Sequence, residues 1–201
     1  MNLALIEDGG EYEDQTFSRL VEAGRVFEAV SFTNCVFDGC SLGGCTLYRC
    51  SFVDCRFAAC DLSNAKVPNA RFRDVAFAGS KLLGIDWTVT GDATATRLPL
   101  SIGFEDCVVS YASFVALRLR GLQLHHCVAQ EADFTDADLT EATLRESDLT
   151  GARFGHTNLT RADFRDAYGY AIDPTINPVK GARFSLPEAA SLLRTFGVII
   201  T

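Results

Sequence analysis

Large apolar side chains stand at every fifth position from residue 27 to residue 87: Phe27, Phe32, Phe37, Leu42, Leu47, Phe52, Phe57, Leu62, Val67, Phe72, Phe77, Leu82 and Trp87. Two residues before each lies a small or modest side chain, running Val30, Cys35, Cys40, Cys45, Cys50, Cys55, Cys60, Ala65, Ala70, Val75, Ser80 and Ile85, with Arg25 the exception. A period of five fits neither the 3.6 of a helix nor the 2 of a simple strand. The pattern resumes, moved by two residues in phase, at Phe104, Val109, Phe114, Leu119, Leu124, Ala129, Phe134, Leu139, Leu144, Leu149, Phe154, Leu159 and Phe164. It continues weakly through Gly169, Pro174 and Val179 to Phe184.

Inside the short period is a longer one. Phe32, Phe52 and Phe72 are twenty apart, as are Leu42, Leu62 and Leu82, and in the second block Phe114, Phe134 and Phe154. Five residues per side and four sides per coil give a square turn of twenty residues, in which identical side chains stack. The prediction is an all-β solenoid whose narrow interior is filled by one large and one small side chain per side. With coils about 4.8 Å apart, about seven and a half of them make a rod roughly 36 Å long.

Two segments leave the pattern. The break over 88–102, "TVTGDATATRLPLSI", carries the turn formers Gly91 and Asp92 and one basic residue, Arg97. It reads equally as a kink that reseats two stacked halves or as a projecting loop, and the two-residue phase change predicts that the ladder does not pass through it unaltered. At the end, "ARFSLPEAASLLRTFGVII" changes period. Ser185 and Glu188 have capping-box spacing, Pro187 suits a first helical turn and Gly197 a helix stop. Ala189, Leu192, Leu193 and Phe196 form one apolar stripe. The stripe, extended by Val198 and Ile199, predicts a helix that caps the last coil and joins a second chain into a homodimer. The organisation read from the sequence is therefore a solenoid over 1–186, with repeat blocks at about 27–87 and 103–184, and a dimerisation module over 187–201.

Charge and composition narrow the function classes. With 26 acidic against 18 basic side chains and a net charge of -8, direct binding to nucleic acid is not expected. The start, "MNLALIEDGG", has neither the basic nor the apolar region of an export signal. No run reaches the roughly 18 apolar residues of a membrane span. A cytoplasmic protein without membrane contact is predicted. All eight cysteines fall on the small inward position, which predicts buried free thiols and not a metal centre or disulfide framework. His125, His126 and His156 adjoin outward positions, and the chain has no nucleophile-elbow, zinc-protease or phosphate-loop motif, so neither catalysis nor a cofactor is expected.

The stretch "ADFTDADLTEATLRESDLTGARFGHTNLTRADF", Ala132 to Phe164, resembles the unit A(D/N)LXX of the pentapeptide-repeat proteins almost side by side. "NCVFDGCSLGGC" is similar to its cysteine-rich form. The resemblance implies a right-handed quadrilateral β-helix with a short C-terminal helix. The C-terminal sequence, the cysteine-rich block, "LLGIDW" at 82–87 and the mid-chain break together resemble the topoisomerase-protecting subgroup, which includes the Qnr quinolone-resistance and AlbG albicidin-resistance proteins. That resemblance implies a tail-to-tail dimeric rod that engages DNA gyrase or topoisomerase IV, mimics DNA and relieves poisoning by a drug or toxin. A generic scaffold for another protein partner is the alternative.

A DNA mimic needs fixed negative charge. Glu131, Asp133, Asp136, Asp138, Glu141, Glu146 and Asp148 supply it on successive sides, opposed in that stretch only by Arg145. They form the candidate partner-binding surface, with Gly91, Asp92 and Arg97 as the candidate loop and Leu192, Leu193, Phe196, Val198 and Ile199 as the candidate dimer interface. For each single Asp, a turn-bonding role is the simpler reading. The net charge amounts to one per about 4.5 Å of rod, against one per about 1.7 Å in duplex DNA, so any mimicry is partial.

Overall fold

The computed structural model describes residues 6–91 and 100–199. Within them the chain winds as a four-sided parallel β-helix of about eight turns. Its strands are two to four residues long and pair only in parallel, each with the segment one coil further on. Phe17 pairs with Phe37, Phe37 with Phe57 and Phe57 with Phe77. Isolated bridges such as Val108 to Val128 and Val128 to Asp148 continue the register where no strand forms. Every position of both five-step series is buried.

Four inward columns result. The first side stacks Phe27, Leu47, Val67, Trp87, Phe114, Phe134 and Phe154, and the second Tyr12, Phe32, Phe52, Phe72, Leu119, Leu139 and Leu159. The third runs from Phe17 through Phe104 to Phe184, and the fourth holds Leu42, Leu62, Leu82, Val109, Ala129 and Leu149. Rings in one column lie nearly parallel, with centroids 4.4 Å apart for Phe37 and Phe57 and 5.0 Å for Phe114 and Phe134. Rings on adjacent sides meet edge to face, as Phe32 and Phe37 do at 5.1 Å. Both arrangements suit the aromatic quadrupole.

The small inward residue depends on how its side turns the corner. Where a side ends in a hydrogen-bonded turn the residue is usually Ala: the N–H groups of Ala65, Ala132 and Ala142 donate to Leu62, Ala129 and Leu139 three residues back. Where the side stays extended, the bond to the large residue's carbonyl comes from a side chain of the next coil. The Cys60 thiol donates to Phe37 O at 3.3 Å and accepts from Cys40 N–H at 3.4 Å. Ser80 and Ser147 hydroxyls do the same with Phe57 O and Cys60 N–H, and with Leu124 O and Cys127 N–H. Cysteine thus serves as a small apolar residue that also satisfies corner backbone groups. Cys45 follows a turn-type side, its own N–H bonding Leu42 O at 3.1 Å, and burial pushes its thiol up to about 12. All eight cysteines are free and buried.

The solenoid begins earlier than the unbroken series indicates. Tyr12 and Phe17 stack on Phe32 and Phe37, while the fourth side of this first coil places Glu22 and Arg25 at the large and small positions. Arg25 Nη1 bonds Glu22 Oε1 at 3.0 Å, Nη2 donates to Ile6 O, and the guanidinium lies 4.6 Å from the Phe27 ring centroid. With buried Ile6, this pair closes the N-terminal end and accounts for Arg25 as the exception in the small series.

The column of rings crosses the break without a change of alignment, contrary to the sequence expectation. Phe77 pairs with Phe104, centroids 5.4 Å apart and 15° from parallel, and Asp86 bridges Ser113. The spacing is 27 residues where other coils use twenty, so the two-residue phase change corresponds to a seven-residue insertion. Before it, Trp87–Val89 form a single 3-10 turn and Gly91 N–H still bonds Ala70 O at 2.8 Å. The kink is therefore excluded at the flanks, and the insertion falls in sequence between Trp87 of the first side and Phe104 of the third; Asp92 and Arg97 lie outside the described residues.

The C-terminal element is a 3-10 helix, Glu188–Phe196, closed by Gly197 at φ 71°. The capping box does not form. Ser185 adjoins the last paired strand, Arg183–Phe184, and its hydroxyl accepts Asp166 N–H at 3.2 Å, completing the corner of the coil. Pro187 takes the cap position without a side-chain bond.

The two classes of small position predict different costs for losing a thiol. Cys60→Ala leaves Phe37 O and Cys40 N–H without their side-chain partner and costs about 1 kcal/mol more stability than Cys45→Ala, whereas Cys60→Ser retains most of it. Denaturant unfolding of the three variants measures the difference; equal costs for both alanines would refute the corner role.

Candidate functional site

Each side contributes two flanking residues and one corner residue to the surface. The corners are left-handed: among the described residues 21 non-glycine residues have φ of 51° to 62°, many of them Asp or Asn. Such residues tolerate this region better than most.

The seven carboxylates of the second block form a belt around the rod and not a single face, because Glu131 to Asp148 traverse one full coil. Asp133, Asp138 and Asp148 flank the large residues of the first, second and fourth sides. Each accepts the N–H two residues on: Thr135 at 2.9 Å, Thr140 at 3.1 Å and Thr150 at 3.0 Å. Asp133 also meets Arg153 at 3.5 Å, Asp138 meets Arg120 at 3.8 Å, and Asp148 accepts Gln130 Nε2 at 2.7 Å. Partial burial would raise the Asp148 carboxyl, but the bonds from Thr150 and Gln130 outweigh it and hold it below the usual range. Arg165 lowers Asp163 in the same way. These aspartates are turn formers first.

Glu131, Asp136, Glu141 and Glu146 occupy the four successive corners of that coil, all with positive φ. Glu141 pairs with Arg161 at 2.7 Å and Glu146 with His125 at 3.2 Å. Among the described residues no ion pair holds Glu131 or Asp136, and the Glu131 carboxylate lies over Gly151, where a Cβ would meet its Oε1 at 2.4 Å. Asp106, His126, Glu146 and Asp166 line one edge, His126 Nδ1 lying 2.5 Å from Asp106 Oδ1.

At the C-terminal end, Leu192 packs against the core. Leu193, Phe196, Val198 and Ile199 are exposed, Ile199 by 87%, so the apolar stripe is shared between the last coil and the surface. Of the candidate loop, Gly91 alone lies in the described residues, at φ 87°. Among the described residues no group of His, Cys, Asp or Glu has the arrangement of a metal site, and no helix is long and apolar enough to cross a membrane. The space between Ile6 and the first phenylalanines is about 10 Å³, at the lower limit for one water.

The hydrogen bond and charge of Asp106 hold the His126 imidazolium up. The pair therefore favours the folded chain while His126 is charged, and the contribution is lost as pH rises through the raised value. Asp106→Asn is expected to lower the His126 titration midpoint toward the ordinary value of about 6.5. A proton NMR titration checks this; an unmoved midpoint would contradict the pairing.

Two family models match the chain: "Pentapeptide repeat region" over residues 26–91 and "Pentapeptide repeats (8 copies)" over 118–155 and 130–166. Together they span more than half of the 201 residues. No curated protein matches the sequence. Among solved structures, the chain is similar to one trypsin-treated form of QnrB1, a plasmid-mediated fluoroquinolone resistance protein. Identity is 21%, with 97% of this chain and 99% of that chain covered, and the TM-score is 0.54. A second trypsin-treated QnrB1 form gives 22% identity over 95% and 97% of the two chains, again with TM-score 0.54. HetL, a pentapeptide repeat protein of heterocyst differentiation regulation in Nostoc, is 17% identical over 88% and 87% of the chains, with TM-score 0.42. With its repeat units, filled four-sided core and family matches in agreement, the chain belongs to the pentapeptide-repeat proteins.

Proposed function

We propose that this rod is a non-enzymatic, cytoplasmic interaction protein that binds DNA gyrase or topoisomerase IV and protects it from a poisoning drug or toxin. The observation that carries the reading is the set of four corner carboxylates, Glu131, Asp136, Glu141 and Glu146, on consecutive edges of one coil. Local turn chemistry accounts for Asp at a left-handed corner but not for Glu. A rigid, water-excluding scaffold fixes their charge, and a basic enzyme surface is steered toward it. The similarity in span and fold to QnrB1, a fluoroquinolone resistance protein, supports the same reading. Asp133, Asp138 and Asp148, being engaged in turns, contribute field and not direct contacts. The mimicry of DNA is limited to this belt. Leu193, Phe196, Val198 and Ile199 join two rods end to end, since together they leave a contiguous stretch of chain with large apolar side chains exposed.

A second reading, a scaffold for an unrelated protein partner, is favoured by the internal pairing of Glu141 and Glu146. A gyrase supercoiling assay with a poison separates the two. The full chain is expected to restore supercoiling, and Glu131→Gln, Asp136→Asn, Glu141→Gln and Glu146→Gln combined to abolish most of that effect. Asp133→Asn, Asp138→Asn and Asp148→Asn keep the turn, as Asn158 does by accepting Thr160 N–H at 3.1 Å, and are expected to cost less protection. Absence of protection and of gyrase binding across several poison classes would favour the scaffold. Removing residues 187–201 is expected to give a monomeric rod that no longer protects. Sedimentation velocity reads the state, and a persistent dimer would reject the end-to-end joint.

A further inference from the structure

The edge where the fourth side meets the first carries one residue that the fold does not ask for. Glycine holds this corner at Gly24, Gly44, Gly84 and Gly151, and asparagine at Asn64, all with positive φ. Tyr111 takes it at φ 61°, a backbone region in which a bulky residue is strained. The ring gains nothing locally in return. It is 64% exposed, and among the described residues no side-chain hydrogen bond or ring contact engages it.

Glu131 is the next corner of the same edge, at φ 55°. The bridges Val108 to Val128 and Ser113 to Asp133, one on each adjoining side, fix the register, so the two corners stand one coil spacing apart, about 4.8 Å. Corner side chains of this edge lie over the coil that follows, Asn64 over Gly84 and Glu131 over Gly151. No ion pair holds Glu131 among the described residues. On the adjoining fourth-side face Leu83, Val108, Ser110, Val128 and Gln130 carry no charge, and Val128 is exposed. The nearest other charges are Asp86, Asp133 and Arg153 in the first-side column and Lys81 and Asp148 in the fourth. Arg153 already meets Asp133 at 3.5 Å, which leaves the edge with an excess of carboxylate.

We infer that this edge docks an arginine side chain of a partner protein, its guanidinium stacked on the Tyr111 ring and paired with the Glu131 carboxylate. A cation is attracted within about 6 Å of a ring centroid, and one coil spacing keeps the carboxylate inside the same reach. A planar guanidinium can face the ring and donate paired hydrogen bonds to the carboxylate at once, whereas an ammonium offers a point charge. The uncharged face beside the edge suits the aliphatic stem that carries the charge. The inference rests on the corner glutamates being a partner surface, as proposed above, and not on the partner's being a topoisomerase.

Fluorescence anisotropy with labelled octa-arginine and octalysine, probes of equal charge, tests it on the full chain at low salt. Octa-arginine is expected to bind the more tightly, and both to be released by added salt. Tyr111→Gly suits the left-handed corner and keeps the fold. It is expected to weaken octa-arginine roughly threefold to fivefold and octalysine less, while Tyr111→Phe, which retains the ring, binds as the native chain does. Glu131→Gln is expected to weaken both probes, and Asp38→Asn on the third side to leave both within about twofold. An unchanged arginine preference in Tyr111→Gly, or a Tyr111→Phe chain that behaves like it, would overturn the proposal and leave the carboxylate belt standing. A sedimentation coefficient altered by Tyr111→Gly would assign the edge to a second copy of the chain and overturn it too. Failure to protect gyrase does not enter, since no topoisomerase is present in the assay.

Discussion

Everything in this molecule depends on one constraint: each coil's backbone must hydrogen-bond to the next in fixed register. A five-residue side is too short to hold a conformation alone, and a strand of three residues has no independent stability. Stacking removes the difficulty because each side is paired above and below, as Phe37 is with Phe17 and Phe57. The same register places like side chains over like, so the columns of phenylalanine follow from backbone pairing rather than from a separate packing choice. Loss of one buried ring would cost about 3–5 kcal/mol, and its neighbours above and below would share the gap.

The constraint also explains why the solenoid accepts some irregularities and resists others. Extra residues are tolerated where the coils on either side keep their register, as Phe77 and Phe104 do. A charged pair is tolerated at an end, where Glu22 and Arg25 are each about a quarter exposed and bond one another; burial in the middle would leave both ions desolvated. Polar small residues are tolerated within the core only when they serve a corner, as Ser80, Ser147 and Thr157 do.

Much of this was legible in the chain. Every member of the five-step series from Phe27 to Phe164 is buried, since a core two side chains deep allows no lapse, although Leu117 and Leu122 fill the small position with large side chains. The first coil was obscured because Glu22 and Arg25 interrupt the series, although Tyr12 and Phe17 stand twenty before Phe32 and Phe37. The insertion was misread because a shift of two, counted against five, hides a shift of seven counted against twenty. The Ser185 and Glu188 spacing imitated a capping box, but a serine beside the last strand finds the corner N–H of Asp166 before the helix begins. For the carboxylates, sequence placed them on successive sides, while the split between turn-forming Asp and projecting corner Glu required the φ values and bonding partners.

Surface charge is the one property the backbone register does not dictate, and it is consequently where selection for a partner can be read. Inward positions admit a few residue types, and the residue flanking a large side chain is often drawn to Asp or Asn by the following N–H, as in Asp61, Asp133 and Asn158. Corners ask only for tolerance of positive φ, which glycine provides at Gly39, Gly44 and Gly121. A chain that instead places glutamate at three corners of one coil, Glu131, Glu141 and Glu146, accepts backbone strain without any local turn bond in return. Two of them recover part of that cost through Arg161 and His125, but Glu131 has no such partner among the described residues. On the proposed reading, its carboxylate, which lies over Gly151, marks the edge of the coil at which a cationic partner gains most by approaching.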